Sequence, residues 1–215
     1  MKSVSILLVI LPLSVTICNA TTILIDNSTR NGGFETNTNT TYADMAEWFN
    51  NPGAQTTAVR NSSAETGSYA GVVSVASNPT IDTGKVLTAD DAFTLSFGYR
   101  DNIAGGNPLI HWQLFYFSNE GDLGFTPLGN TNRVVLATNS VTASSTAYAT
   151  SSFSPTATPS SDPGIGSTVY LRFYRTAADG QFPLIDNVNL SVVPEPSSAL
   201  LGIASLLALS WRRSR

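Results

Sequence analysis

From Ala92 to Arg100, large apolar side chains occupy every second position. Phe93, Leu95, Phe97 and Tyr99 alternate with Thr94, Ser96, Gly98 and Arg100. A period of two marks a strand with one buried face and cannot be laid on a helix. Val169, Leu171 and Phe173 repeat the pattern against Tyr170, Arg172 and Tyr174, and further strands are expected at 22–26, 69–76, 111–118, 133–137, 148–153 and 184–192. His111 to Phe117 is apolar or aromatic at most positions, as in a central strand covered on both faces. Between these segments stand turn formers: Asn51-Pro52-Gly53, Asn78-Pro79, Gly105-Gly106-Asn107-Pro108, Glu120-Gly121-Asp122 and Asp162-Pro163-Gly164. Away from the two chain ends, only 42–49 hints at helical spacing. Eight or nine short strands over residues 21–192 predict an all-β chain, an antiparallel β-sandwich of jelly-roll type.

The ends follow other rules. Lys2, an apolar stretch from Val4 to Ile17 and the small-x-small triplet Cys18-Asn19-Ala20 have the layout of a signal peptide helix over 1–20, cut by signal peptidase after Ala20. A lipid on Cys18 is the competing reading, with Ile17 standing where a small residue is expected. At the other end Pro194, Glu195 and Pro196 form a stiff segment that cannot join a ladder. An uncharged apolar run follows over about 197–211, then Arg212, Arg213 and Arg215. The run is short for a permanent span, which needs about 20 residues. Trp211 and the arginines sit as an interfacial aromatic and a cytoplasmic stop would.

Residues 193–215 resemble a PEP-CTERM sorting signal: Pro194-Glu195-Pro196, a short transmembrane helix and the basic pair Arg212-Arg213, in that order. The resemblance implies processing by an exosortase, a membrane-embedded cysteine transpeptidase or protease of Gram-negative bacteria. It also implies passage through the inner membrane to the cell surface or extracellular matrix, often beside exopolysaccharide. The same tail left uncut would be an ordinary membrane anchor.

Without its ends the chain spans Thr21 to Val193 and carries 7 basic and 14 acidic residues, a net charge of about −7. Nucleic-acid binding needs clustered Lys and Arg over phosphates, so no nucleic-acid partner is expected. Cys18 is the only cysteine and lies in the signal segment. The body therefore has no disulfide framework, no thiolate metal site and no cysteine nucleophile.

A second resemblance lies in the body. Asn31-Gly32-Gly33-Phe34-Glu35, Trp48 and Leu184-Ile185-Asp186-Asn187-Val188-Asn189-Leu190 are similar to the opening and closing segments of galactose-binding-like jelly rolls, carbohydrate-binding modules among them. In such domains the opening Glu and closing Asp often meet at a structural calcium. Glu35 and Asp186, with Asp26 as a third oxygen donor, are the candidate ligands here; the alternative is that they serve turns and solvent. No other cofactor is expected. For glycan contact the sequence offers the rings of Trp112, Tyr116, Tyr99 and Tyr174 with Gln113, Arg100, Arg172 and Arg175 as polar partners. Alternating aromatics are more often core. His111 is the only histidine, in a hydrophobic strand and without a nucleophile elbow, and the carboxylates Asp90, Asp91, Glu120, Asp122 and Asp179 form no evident pair. No catalytic residue is assigned. The sequence thus predicts an exported, non-catalytic surface or matrix protein associated with exopolysaccharide. A discrete carbohydrate-binding module and a secreted glycan-active enzyme are the alternatives.

Overall fold

The computed structural model describes residues 20–37, 45–50, 58–61, 63–154, 158–177 and 180–193. The signal segment up to Asn19, the Pro194-Glu195-Pro196 motif, the run 197–211 and Arg212-Arg213 lie outside the described residues.

Eleven strands form among the described residues: β1 (Thr22–Ile25), β2 (Trp48–Asn50), β3 (Ala58–Asn61), β4 (Tyr69–Val72), β5 (Pro79–Val86), β6 (Ala92–Arg100), β7 (Leu109–Phe117), β8 (Arg133–Thr142), β9 (Ala149–Phe153), β10 (Thr168–Tyr174) and β11 (Leu184–Val193). They make two antiparallel sheets. One runs β3-β4-β11-β6-β9, with β1 also paired to β11; the other runs β2-β5-β10-β7-β8. Only β3–β4 and β7–β8 are hairpins within a sheet, and every other described connection passes to the opposite sheet. This is a β-sandwich, as the alternation requires.

Three of these strands go beyond the sequence expectation, and one segment changes type. Asn78-Pro79 is not a connector: Pro79 opens β5 opposite Asn50 of the edge strand β2, the position at a strand start where proline is tolerated. β5 escapes notice because its inner face carries Thr83 as well as Ile81, so the apolar alternation breaks. The Thr83 hydroxyl donates to Val169 O at 2.7 Å, which meets its need for a partner inside the core. In the segment with helical spacing, Met45 bridges to Asn37 and Trp48–Asn50 is strand β2. β2 and β3 are too short to show a period.

The two sheets close on one core. Phe93, Leu95 and Phe97 of β6 face Val169, Leu171 and Phe173 of β10 across it, all buried. Phe97 and Phe173 meet edge to face at 4.9 Å, and Trp112 of β7 meets Phe153 of β9 at 5.0 Å. Each such side chain contributes roughly 1.5–3 kcal/mol by leaving water.

The opening and closing segments meet. Phe34 is fully buried and lies 5.2 Å from the Trp48 ring, whose indole N–H donates to Asn31 O at 3.2 Å. Asn31 ties its own loop by donating to Thr36 O and Ala46 O and accepting from Thr36 N. Pairing of β11 with β6 slips between Asp186 and Asn189, and Asn187 takes φ 49° there. At that bulge Val188 N donates to Gly32 O at 2.9 Å, and Asn27 Nδ2 donates to Asn187 Oδ1 at 2.7 Å.

Candidate functional site

Strand alternation divides β7 and β10 into two sets. Ile110, Trp112, Leu114 and Tyr116 point into the core with Val169, Leu171 and Phe173. His111, Gln113, Phe115 and Phe117 must then stand on the outer face with Tyr170, Arg172 and Tyr174. Antiparallel register sets these in rows. Tyr174 faces His111, which faces Ser140; Arg172 faces Gln113, which faces Thr138; Tyr170 faces Phe115, which faces Val135. Thr80 and Asp82 of β5 extend the second and third rows beyond Arg172 and Tyr170.

The two ends of this face differ. At one end Phe115, Phe117 and Tyr170 are buried together, with Phe49 and Phe125 packed on them. Phe125 belongs to the loop after β7 and lies 5.5 Å from the Phe117 ring, so this loop caps that end. The covering of His111–Phe117 on both faces therefore holds for its second half. At the other end His111, Gln113 and Tyr174 are half-buried and polar. The His111 and Tyr174 rings stack at 5.0 Å, the Arg172 guanidinium lies 3.9 Å from the Tyr174 ring centroid, and Gln113 Nε2 donates to the Tyr174 hydroxyl at 3.2 Å. Arg133, at the start of β8, reaches back over the Phe115 ring at 5.9 Å.

Charge shapes this end. Burial, reinforced by Arg172 and Arg175, holds the His111 imidazole below its ordinary pKa, so it is neutral near pH 7. Burial first, and then the adjoining Arg133, bring Arg172 down to about 10. Arg175, just past β10, donates from Nε to Leu109 O at 3.4 Å.

Of the residues offered for glycan contact, the structure brings together Tyr174, Gln113 and Arg172. It does not bring Trp112 or Tyr116 to them. Trp112 is 2% exposed and packs on Phe153, and Tyr116 is 3% exposed under the Asp162–Gly166 turn, so neither ring has a face for a ligand. The reason is parity: Trp112 and Tyr116 belong to the inward set of β7. Tyr99 packs against the core from β6 in the other sheet, and Arg100 lies over Tyr148 at 5.7 Å. His111 stands on the outer face because its neighbour Trp112 is inward.

Glu35 and Asp186 do reach one corner, around the turn before β4. Glu35 Oε1 accepts from Ser68 N and Tyr69 N at 2.8 and 2.9 Å. Asp186 Oδ2 accepts from Glu65 N and Thr66 N, and Oδ1 from Asn187 N, all within 3.1 Å. Asp186 has no solvent exposure, and burial raises its pKa to about 6 against the pull of these three N–H groups. Asp26 Oδ1 likewise accepts from Ser28 N and Thr29 N. Among the described residues no three His, Cys, Asp or Glu side chains group so as to hold a metal. Of the other carboxylates, Asp91 pairs with Lys85 at 3.0 Å and Glu120 accepts from Thr168 N at 2.7 Å, while Asp179 lies outside the described residues.

No family model matches the chain, and no curated protein matches it in sequence. Solved structures do match in fold. A cyclase from Fischerella sp. TAU superposes with TM-score 0.57 at 16% identity, over 83% of this chain and 100% of that one. The CBM22-1 xylan-binding domain of Paenibacillus barcinonensis Xyn10C gives 0.51 at 15% identity, over 84% and 100%. The CBM22-1 and GH10 modules of Clostridium thermocellum Xyn10B, complexed with xylohexaose, give 0.52 at 14% identity, over 81% of this chain and 29% of that one. At these identities the likeness is one of fold, and the fold serves both a cyclase and carbohydrate-binding modules.

Proposed function

We propose that the body is a non-catalytic glycan-binding sandwich, displayed outside the cell, which holds its polymer across the open end of the β2-β5-β10-β7-β8 sheet. The observation that carries this reading is the continuous group of Tyr174, His111, Gln113 and Arg172 on one sheet face. A sheet face gives an extended polymer a flat bed. Amide, phenol and guanidinium groups on it suit sugar hydroxyls. That xylan-binding modules share the fold supports the choice of a polysaccharide over a small molecule. Retention on immobilised polysaccharides tests it: binding to at least one polymer, lost in Tyr174→Ala with the fold intact, is expected. Turnover of a glycan, abolished by a single carboxylate change, would instead make the chain an enzyme.

The two ends complete the proposal. The segment 1–20 directs export, and an exosortase takes the Pro194-Glu195-Pro196 tail at the inner membrane, leaving the body at the cell surface or in an exopolysaccharide matrix. A structural calcium at Glu35 and Asp186 is tested by chelation.

A further inference from the structure

We infer that the body pairs with a second copy of itself along the outer edge of β8, so that the β2-β5-β10-β7-β8 sheets of two copies run on as one antiparallel sheet. β8 is the last strand of its sheet, and among the described residues no strand lies beyond it. Its 10 residues contrast with 3, 4 and 5 in β2, β3 and β9, the other edges of the two sheets. A strand edge offers its outward N–H and C=O groups to any strand that can lie beside it, and folds blunt a long edge with proline, charge or a bulge. β8 has neither proline nor lysine, and its register shift, opposite Leu114 and Phe115, falls toward the Arg133 end. From Ala137 to Thr142 the strand runs regularly against Leu109 to Leu114. Leu109, Val134 and Val135 of the same hairpin are exposed and flank this stretch.

Charge selects the partner. All 14 acidic residues of the body lie before Leu123 or after Ser161, and Arg133 is the only charged residue from Leu123 to Ser161. That stretch contains β8 and β9. These are the edge strands of the two sheets on one side of the sandwich, where Trp112 of β7 meets Phe153 of β9 at 5.0 Å. Two bodies of net charge near −7 repel wherever their carboxylates meet, and on β8 and β9 there is none to bury. A charged strand laid on this edge would have its charge desolvated without a match, whereas the same uncharged strand leaves nothing unmatched. A two-fold axis at Asn139 sets Thr138 opposite Ser140 of the other copy, a cross-strand hydroxyl pair, and Ala137 opposite Val141. The two Arg133 side chains then stand at opposite ends of the seam, roughly 40 Å apart and well beyond the screening length of about 8 Å. The row of Tyr174, His111 and Ser140 continues onto the same face of the other copy, so on the glycan reading above the seam lengthens the polymer's bed. The pairing itself does not depend on that reading.

The test is the mass of the full chain in detergent, by light scattering with the detergent's share subtracted, from about 1 μM to about 100 μM. The parent should be dimeric at the upper end. Thr138→Lys with Ser140→Lys sets like charges opposite each other across the seam and should weaken dimerisation by roughly tenfold or more, as should Thr138→Glu with Ser140→Glu. An equimolar mixture of the two double variants should recover the dimer that neither forms alone. If either fails to fold, Asn139→Cys in a Cys18→Ser chain decides: the axis brings the two sulfurs within disulfide reach, and mild oxidation should give a covalent dimer. A parent that is monomeric throughout the range would overturn the inference. So would a dimer that survives both charge variants, which would place the contact on another surface or on the terminal segments, a mixture of folded variants that stays monomeric, or the absence of a covalent dimer. None of these results bears on the glycan reading, which retention on polymers tests separately.

Discussion

Gly32 and Val188 hold the two ends of the body together at a distance that excludes a side chain. Val188 N donates to Gly32 O at 2.9 Å, while Gly32 N donates to Asp26 O at 2.8 Å. A β-carbon on Gly32 would press into Val188 O and lie 2.7 Å from Asp26 O. Both obstacles are backbone, so neither can swing aside.

Gly32→Ala should therefore cost about 2–3 kcal/mol, the usual penalty of overpacking, although alanine is the smallest possible addition. Urea unfolding followed by tryptophan fluorescence would measure it. A loss under about 0.5 kcal/mol would show that the junction of opening loop and closing bulge yields.

Trp112 and Tyr174 should separate stability from binding. Trp112→Ala empties part of the core and should cost about 3–5 kcal/mol. Tyr174→Ala, on the outer face, should leave the melting temperature within a few degrees of the parent and abolish retention on the bound polymer. The two measurements together check the parity of β7 and β10; retention surviving Tyr174→Ala would place the ligand elsewhere.

Asp186 should make stability depend on pH in one direction. Its folded pKa, about 6, lies above the value near 3.9 expected in the unfolded chain. The folded protein therefore binds more protons between these values. The stabilisation from this group is complete below about pH 4 and is lost as pH rises through about 6. Melting temperatures of the parent and Asp186→Asn from pH 4 to 8 would isolate it, since asparagine does not titrate. The gap between them should narrow as pH rises, and Asp186→Asn should be the less stable at low pH because its amide hydrogens face N–H donors of Glu65, Thr66 or Asn187.

Chelation tests the same corner. With Glu35 Oε1 and both Asp186 oxygens accepting backbone N–H groups, excess EDTA should move the melting temperature by less than a degree or so. A fall of several degrees, restored by Ca²⁺, would show that a cation replaces those donors.

Processing is read most directly by mass. Intact mass spectrometry of the protein recovered from its own cells should show an N-terminus at Thr21 and a C-terminus near Pro194-Glu195-Pro196. A C-terminus at Arg215 in surface-exposed protein would leave the tail an ordinary anchor.

Much of the fold was legible because strands with one buried face write their period into the chain. β6, β10 and β11 are long, and their inner positions are apolar nearly throughout. β5 was hidden because the partner that satisfies Thr83 is Val169 O, supplied from another strand. The site was half legible. Tyr174, Gln113 and Arg172 stood among the candidates, but Trp112 and Tyr116 were placed with them, because an aromatic residue looks the same in sequence whether it lines a groove or fills a core.

The sequence by itself determined an all-β body, the residues of its opening and closing segments, and a division of each long strand into two alternating sets. Alternation is a local consequence of the extended backbone and needs no partner to be visible. Only the tertiary structure decided which set met the core and which met solvent. That choice depends on the opposite sheet and on the loop bearing Phe125, neither of which is local to β7. It also brought Arg133, Gln113 and Tyr174 onto one surface, because antiparallel pairing sets side by side residues from strands that lie far apart along the chain.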